Sequence, residues 1–173
     1  MAMPVQTERE IAIKDACILF DLVDLQLLAD FFRLDFIVLT TPQVIAEITD
    51  EIQGLEISRY IDSGRLLVDS FGVFETLYEM TLRYRGLSVT DCSVLELAER
   101  RNAVIFSSDG GLRKIAIRQK VVVRGVLWII EELWKREMIT VEKALEKLKT
   151  YSVINQRAPL KEITLLYSKI QRQ

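Results

Sequence analysis

The sequence predicts an α/β fold, a three-layer α/β/α sandwich with a mostly parallel central sheet. Its apolar runs are short and occupy consecutive positions, as in strands that are covered on both faces. These runs alternate with helical patterns, which is the order typical of parallel strands joined by helical crossovers. The 173 residues include only 7 Gly and 3 Pro. With so few turn residues and no linker-like stretch, we expect one domain with few long loops.

The predicted strands come first, since they define the sheet. Each consists of three or four apolar residues bounded by polar or charged ones, which is short even for buried parallel strands. Four runs fit this description well and a fifth, at 66–68, fits less well. The runs are IAI at 11–13, FIVL at 36–39, LLV at 66–68, VIFS at 104–107 and VVV at 121–123.

Helical patterns fill the intervals between the predicted strands. One predicted helix begins at Pro42, behind Thr41, and stops before Gly54. Another follows Ser88, and Asp91 three places on makes the start similar to a capping box. An amphipathic helix ends the chain and docks either on its own core or on another subunit. The predicted helices span 42–53, 73–85, 89–101, 111–118, 126–137, 141–149 and 159–171.

The composition excludes several kinds of active site. The chain has no histidine, so it cannot form a Ser-His-Asp triad or a histidine-ligated zinc site. Cys17 and Cys92 stand alone, outside any CxxC motif, and we expect reduced thiols in the core. The start, MAMPVQTERE, lacks the pattern of a signal peptide, and no apolar run approaches the length of a membrane span. We therefore expect a soluble, cytoplasmic protein.

Charge is distributed unevenly along the chain. Residues 1–96 carry a net charge of −10, and residues 97–173 carry +8, for a total of −2. Two solvated faces of opposite sign would account for this difference. An acidic cleft beside a basic surface would account for it equally well, and would suit a metal-dependent enzyme that acts on a polyanion.

Four acidic residues occupy positions where a parallel sheet collects its ligands, beyond the carboxyl ends of the strands. Asp15 follows the first strand and Asp109 follows VIFS, while Glu47 lies on the helix after FIVL. Asp91 lies in the middle of the apolar face of its predicted helix, where an ionised carboxylate is costly unless it is paired or binds a metal.

Each of these acids also has a purely structural interpretation. Asp15 and Asp109 could cap the helices that follow them. Glu47 could point into water, and Asp91 could accept hydrogen bonds from backbone N–H groups at its helix start. Taken together, however, four converging carboxylates repel one another. An all-oxygen set of this kind suits Mg²⁺ or Mn²⁺, which can activate water for hydrolysis of a phosphodiester.

At these residues the sequence resembles a known family. The segments IAIKDACILFDL, TPQVIAEI, GLSVTDCSVLELA and VIFSSDGGLRKIA resemble, in order and spacing, the four acidic motifs of PIN-domain ribonucleases. The later segment VVVRGVLWIIEELWKREMITVEKALEKL is similar to one in a subgroup of prokaryotic PIN proteins, the VapC-type toxin components of toxin–antitoxin pairs.

The resemblance covers about residues 11–150 and implies a nuclease domain over residues 1–150, with 151–173 as a C-terminal helical extension of unassigned role. It implies a metal-dependent endoribonuclease that hydrolyses RNA phosphodiesters, acts as the toxin of a toxin–antitoxin pair, forms a homodimer and binds an antitoxin protein. By the same resemblance, Asp15, Glu47, Asp91 and Asp109 would be catalytic and would bind one or two Mg²⁺ or Mn²⁺ ions.

Further expectations concern the residues around these acids. Ser107 would orient water or a carboxylate, although a satisfied serine at a strand end is an equal alternative. RNA would contact the basic residues of the second half, unless these only form a solvated helix face. Trp128 and Trp134 could stack on bases, but such aromatic residues more often belong to a core. The basic candidates are Arg113, Lys114, Arg118 and Lys120.

A binding module without catalytic activity is the alternative to a nuclease. The chain could be a catalytically silent PIN-like module that binds RNA or a protein. Loss of one acid would have favoured that interpretation, but all four are present.

Overall fold

A computed structural model describes residues 9–13, 15–70 and 74–172, with side chains from residue 16 onwards within these ranges. Its five strands form one sheet in the order β3-β2-β1-β4-β5, and every neighbouring pair is parallel. The predicted α/β class is therefore confirmed. The strands are β1 (Arg9–Ile13), β2 (Phe36–Thr40), β3 (Leu66–Val68), β4 (Val104–Phe106) and β5 (Val123–Arg124).

Ten helices connect and follow these strands within the described ranges. They supply the long crossovers that parallel strands require. Their bounds are α1 (Asp15–Asp24), α2 (Leu28–Phe31), α3 (Pro42–Ala46), α4 (Glu51–Asp62), α5 (Phe74–Arg83), α6 (Val89–Arg101), α7 (Gly110–Arg118), α8 (Val126–Lys135), α9 (Val141–Ile154) and α10 (Leu160–Gln171).

The strand β1 lies at the centre of the sheet and sets the register. Ile11 pairs with Val38 of β2 on one side and with Val104 of β4 on the other. Because all five strands run in the same direction, the residues that follow them meet at one edge of the sheet, which we call the carboxyl edge.

Helices pack on both faces of the sheet, because consecutive strand residues point to opposite faces. In β4, Ile105 contributes to one hydrophobic cluster and Phe106 to the other, and Leu39 and Val38 of β2 divide in the same way. The cluster that includes Phe106 contains residues of α1, α2, α4, α8, α9 and α10. The cluster that includes Ile105 contains residues of α3, α5, α6 and α7.

The C-terminal helix α10 docks on the core of its own chain. Ile163, Leu166 and Ile170 are buried in the same cluster as Phe106. Lys169 of this helix also pairs with Glu131 of α8. Of the two docking modes left open by the sequence, the structure shows the intramolecular one.

The continuous helix predicted over residues 42–53 is wrong. The structure has two helices there, α3 and α4, because the carboxylate of Asp50 accepts a hydrogen bond from the backbone N–H of Gln53 and starts a new helix. Gly54, interpreted as a stop signal, lies inside α4. Local capping by a well-placed aspartate outweighed the weak breaking tendency of one glycine.

Smaller differences affect the other elements. The fifth strand comprises Val123–Arg124 instead of 121–123, and α9 continues to Ile154, beyond the predicted end at 149. The predicted helix 73–85 is observed as Phe74–Arg83, and its predicted first residue lies outside the described ranges. In that helix Phe74, Tyr78 and Leu82 are exposed, whereas Leu77 and Met80 are buried.

Candidate functional site

The start of α6 is joined to the carboxyl edge by a buried pair of hydroxyl groups. Thr41, which directly follows β2, lies with its Oγ1 atom 2.9 Å from Oγ of Ser93 in α6. Ser93 donates its single hydroxyl proton to the carbonyl of Thr90, so Thr41 is the donor in the pair. Both side chains are fully buried. This bond places the first turns of α6, and with them Asp91, beside the end of β2.

The start of α7 meets the same region from the other side. A Cβ atom at Gly111 would lie 3.7 Å from the side chain of Leu87 and 3.2 Å from Oδ1 of Asp109. Leu87 immediately precedes Ser88, the residue that caps α6. The loops that carry Asp91 and Asp109 are therefore neighbours at the carboxyl edge.

Asp91 is a buried carboxylate that is held in place by its own helix start. Its side chain is 7% exposed. Oδ2 accepts hydrogen bonds from the backbone N–H and the hydroxyl of Ser88, both at 2.9 Å, and the backbone N–H of Asp91 donates to Ser88 Oγ at 3.0 Å. The capping box suggested by the sequence is present. The burial expected for Asp91 is present, and the hydrogen bonds at its helix start confirm the structural interpretation, whereas metal binding by Asp91 stays a prediction.

Asp109 caps α7 with one carboxylate oxygen. Oδ1 accepts a hydrogen bond of 2.8 Å from the backbone N–H of Leu112. Within the part of the chain that the structure describes, Oδ2 takes no part in this cap. The helix-cap interpretation is therefore correct for Asp109, and the cap leaves a second oxygen for another ligand.

Ser107 fixes the loop between β4 and Asp109 through three polar groups. Its N–H donates to the carbonyl of Arg124 at 2.9 Å, its Oγ accepts from the backbone N–H of Asp109 at 3.0 Å, and its carbonyl accepts from Nη1 of Arg113 at 3.2 Å. The side chain is fully buried. Ser107 thus orients the peptide of Asp109, whichever of the two roles considered for its hydroxyl applies.

For two of the four predicted acids, Asp15 and Glu47, the described side chains show no place beside Asp91 and Asp109. Asp15 begins α1 directly after β1, at the carboxyl edge, but its side chain lies outside the described residues. Glu47 is the exposed C-cap of α3. Among the side chains described from residue 16 onwards, no three of the metal-ligating types form a group that could hold an ion.

Cys92 reports on the electrostatics beside Asp91. Burial raises the pKa of the Cys92 thiol to about 11, and the negative charge of Asp91 adds to the effect. At neutral pH the thiol is therefore protonated, and we do not count it as a nucleophile. The prediction of a reduced core thiol holds for Cys92, whereas Cys17 is exposed.

The third strand ends in a carboxylate with a different environment. Asp69 follows β3 and forms ion pairs with Arg101 at 2.6 Å and Arg100 at 3.3 Å. Burial alone would raise the pKa of Asp69, but hydrogen bonds from Arg101 and Arg100 outweigh it and lower that pKa. Two guanidinium groups already neutralise this carboxylate, so we do not include it in the candidate site.

The four predicted RNA-contacting residues separate into two groups. Arg113 is half-buried, and its guanidinium donates to the carbonyl of Ser107. Lys114, Arg118 and Lys120 are exposed, the first two on α7 and the third beyond its end. Of this set, only Arg113 reaches the loop that carries Asp109.

Sequence reasoning missed the hydroxyl pair of Thr41 and Ser93. A signal existed, because Thr41 was already recognised as the residue before a helix, and Ser93 lies two residues after Asp91. Serine is a polar residue, and such residues are more often exposed than buried. The structure instead buries Ser93 against the end of β2.

The sequence also matches a known protein family. Residues 11–166 match a family that is described as a PIN domain. The chain belongs to the PIN-domain family. PIN domains are generally nucleases, and they generally use divalent metal ions. The match extends past residue 150 into α10.

No curated protein matches this PIN domain. Over the described ranges, none of its helices is both long and apolar enough to traverse a lipid bilayer.

Proposed function

We propose that this PIN domain is a metal-dependent endoribonuclease, built as a three-layer sandwich, whose active site lies at the carboxyl edge of the sheet. The observation that carries the proposal is the meeting of the α6 and α7 starts beside the end of β2, which brings the loops of Asp91 and Asp109 together. Asp15 begins α1 at the same edge. An edge of this kind is where open parallel sheets bind their ligands.

The oxygen donors of this edge fit Mg²⁺ or Mn²⁺ and do not fit zinc or copper. The chain offers carboxylates and hydroxyls there and has no histidine. We propose that Asp91 and Asp109 hold the ion together with Asp15. The bound ion would supply activation of water and neutralisation of the phosphate.

The residues of the chain would then have distinct tasks. Ser88 holds one oxygen of Asp91 through two hydrogen bonds, and Leu112 N–H holds one oxygen of Asp109. These bonds fix the two carboxylates before a substrate arrives, which reduces the reorganisation needed during the reaction. Glu47, exposed at the end of α3, would contact the ion only through a long side chain or a water molecule.

The decisive test compares two helix-capping aspartates in different parts of the fold: Asp109 is partly buried at the carboxyl edge, and Asp50 is exposed. Asp109 caps α7 and Asp50 caps α4, each by accepting one backbone hydrogen bond. Since asparagine caps helices about as well as aspartate, neither Asp109→Asn nor Asp50→Asn should unfold the protein. We expect Asp109→Asn to reduce cleavage of single-stranded RNA in Mn²⁺ at least about 100-fold. Asp50→Asn should retain wild-type activity.

Controls for this test use the metal and the fold. Wild-type cleavage should disappear in EDTA and return with added Mn²⁺, and both variants should have wild-type circular dichroism spectra. Full activity in EDTA, or equal activity of the two variants, would contradict the proposal. A wild-type protein that binds RNA but never cleaves it would favour the silent binding module.

The toxin role, the homodimer and the antitoxin partner remain predictions from the family resemblance. Co-expression with the neighbouring open reading frame and measurement of growth would test the toxin role. Light scattering of the purified chain would test the homodimer.

A further inference from the structure

A concave surface lies at the carboxyl edge, and Ser107 is part of its lining. This cleft has a volume of about 460 Å³ and lies beyond β4 and β5. Its walls come from the loop after β4, the end of β5, the start of α8 and the segment between α9 and α10. We name it the arginine cleft because Arg113, Arg124 and Arg157 line it together.

The three arginines of the cleft are not neutralised by the protein. Arg113 donates to a backbone carbonyl, and Arg124 lies 5.7 Å from the ring centroid of Trp128. Across the described ranges of the chain, none of the three forms an ion pair with a carboxylate. In contrast, Arg100 and Arg101 are paired with Asp69.

The remaining walls supply hydrogen-bonding groups and an aromatic ring. The exposed Ser108 contributes polar atoms and Trp128 a half-buried indole, whereas Ser107 and Tyr151, which also line the cleft, are buried. Burial raises the pKa of Tyr151, although a hydrogen bond with Ser108 opposes this effect. One carboxylate, that of Glu162, also lines the cleft. The lining is therefore positively charged, and it combines polar groups with apolar and aromatic surface.

We infer that the arginine cleft is a substrate subsite that binds one nucleotide of single-stranded RNA next to the cleavage site. Guanidinium groups bind phosphate oxygens through paired hydrogen bonds, and aromatic or guanidinium planes stack on unpaired bases. A cavity of this volume lies within the range of small-molecule sites. The inference relies on the proposed function for the identity of the ligand.

The position of the cleft favours RNA over an acidic protein segment. Ser107 lines the cleft, and its hydroxyl also accepts the hydrogen bond from the N–H of Asp109. A phosphodiester chain that leaves the cleft past Ser107 would thus reach the proposed metal-binding carboxylates. The segment between α9 and α10, which contributes Arg157, would have a role in holding substrate, although it lies beyond the region of the resembling motifs.

The test measures RNA binding without cleavage. The probe is a 5′-fluorescein-labelled decauridylate, titrated by fluorescence anisotropy in EDTA. Arg124 and Arg157 are exposed, so the double variant Arg124→Gln/Arg157→Gln should fold normally. Its matched control, Arg59→Gln/Arg172→Gln, removes the same charge from two exposed arginines that do not line the cleft.

The cleft variant should raise the Kd for decauridylate at least 10-fold, whereas the control should change it less than threefold. The logarithmic salt dependence of binding should fall by about 1.4 in the cleft variant, since each phosphate contact on a single strand contributes about 0.7. Glu162→Gln should act in the opposite direction and tighten binding about twofold to fivefold. Equal losses in the two double variants, or an unchanged Kd in both, would overturn the inference and leave an acidic protein segment as the better occupant.

Cleavage kinetics in Mn²⁺ separate this inference from the proposed function. The cleft variant should raise KM about 10-fold with little change in kcat. An active wild-type nuclease whose KM is insensitive to the cleft variant would refute the subsite alone. A wild-type protein that binds decauridylate through the cleft but does not cleave it would refute the nuclease and retain the subsite.

Discussion

The two halves of the carboxyl edge differ in how their charged groups are held: those of one half are bonded within the fold, and those of the other are accessible. On the side of β2 and α6, Asp91 is buried and held by Ser88, and Asp69 is paired with two arginines. On the side of β5, Arg124 and Arg157 project into an open cleft. The comparison teaches that charges which must keep a fixed position are held by the fold, whereas charges that meet a variable ligand are left accessible.

The largest expected effect tests the side of β2 and α6, which we call the acidic half of the carboxyl edge. Asp91→Asn should lower kcat for RNA cleavage in Mn²⁺ at least about 100-fold, because an amide removes the charge that a metal ion requires. KM should change less than threefold, in contrast to the cleft variant. Steady-state kinetics with a defined oligoribonucleotide provide both values. If Asp91→Asn raised KM and left kcat intact, the division of labour between the two halves would be wrong.

A smaller effect is expected from the hydroxyl pair that positions α6. Thr41→Val removes the donor to Ser93 and the cap of α3, where Thr41 Oγ1 accepts from Val44 N–H at 3.3 Å. The free energy of unfolding should fall by about 2 kcal/mol, measured by urea denaturation. Thr164→Val is the matched control, since its exposed hydroxyl bonds only to the carbonyl of Leu160. An equal loss in both variants would show that the buried pair has no special stabilising role.

The smallest effect concerns the ion pairs of Asp69. Its pKa is lower in the folded protein than the ordinary value of 3.8, so its stabilisation is present above that pH and is lost as the pH falls through the folded value. Asp69→Asn should reduce the unfolding free energy by about 0.5–1 kcal/mol at pH 7, since the arginines are partly exposed. The difference between variant and wild type should shrink as the pH falls below 3.8 and through the folded value. Thermal unfolding across this range measures it, and a pH-independent difference would contradict the assignment.

The acidic half was accessible to sequence reasoning because its signals are local. Ser88 and Asp91, three residues apart, predicted both the start of α6 and its capping box, and the structure confirms them. The observed bounds Val89–Arg101 match the prediction, with Asn102 ending the helix in a left-handed conformation. The contact between Thr41 and Ser93 could not be predicted, since 52 residues separate them and either hydroxyl could have pointed to water.

The side of β5, which we call the basic half of the carboxyl edge, was less accessible to sequence reasoning because its cleft is assembled from distant segments. Arg113 was selected for its place on a basic helix, but Arg124 and Arg157 each stand alone in the sequence. Only the packing of α9 and α10 on α8 brings them to one cleft. The helix prediction over 42–53 failed although the signals there are local. Gly54 received too much weight as a helix stop, whereas the cap at Asp50, four residues earlier, starts a new helix.

The short strand β4 has a consequence for where Asp109 can lie. Phe106 packs edge-on against the rings of Phe31 and Trp128, with centroids 5.8 Å and 5.6 Å away, whereas its neighbour Ile105 faces the opposite cluster. Sliding the strand by a single residue would send the phenyl ring into a space shaped for an aliphatic side chain. The packing of Phe106 against Phe31 and Trp128 thus fixes the register of β4. The register in turn sets how far the loop with Asp109 extends past the carboxyl edge.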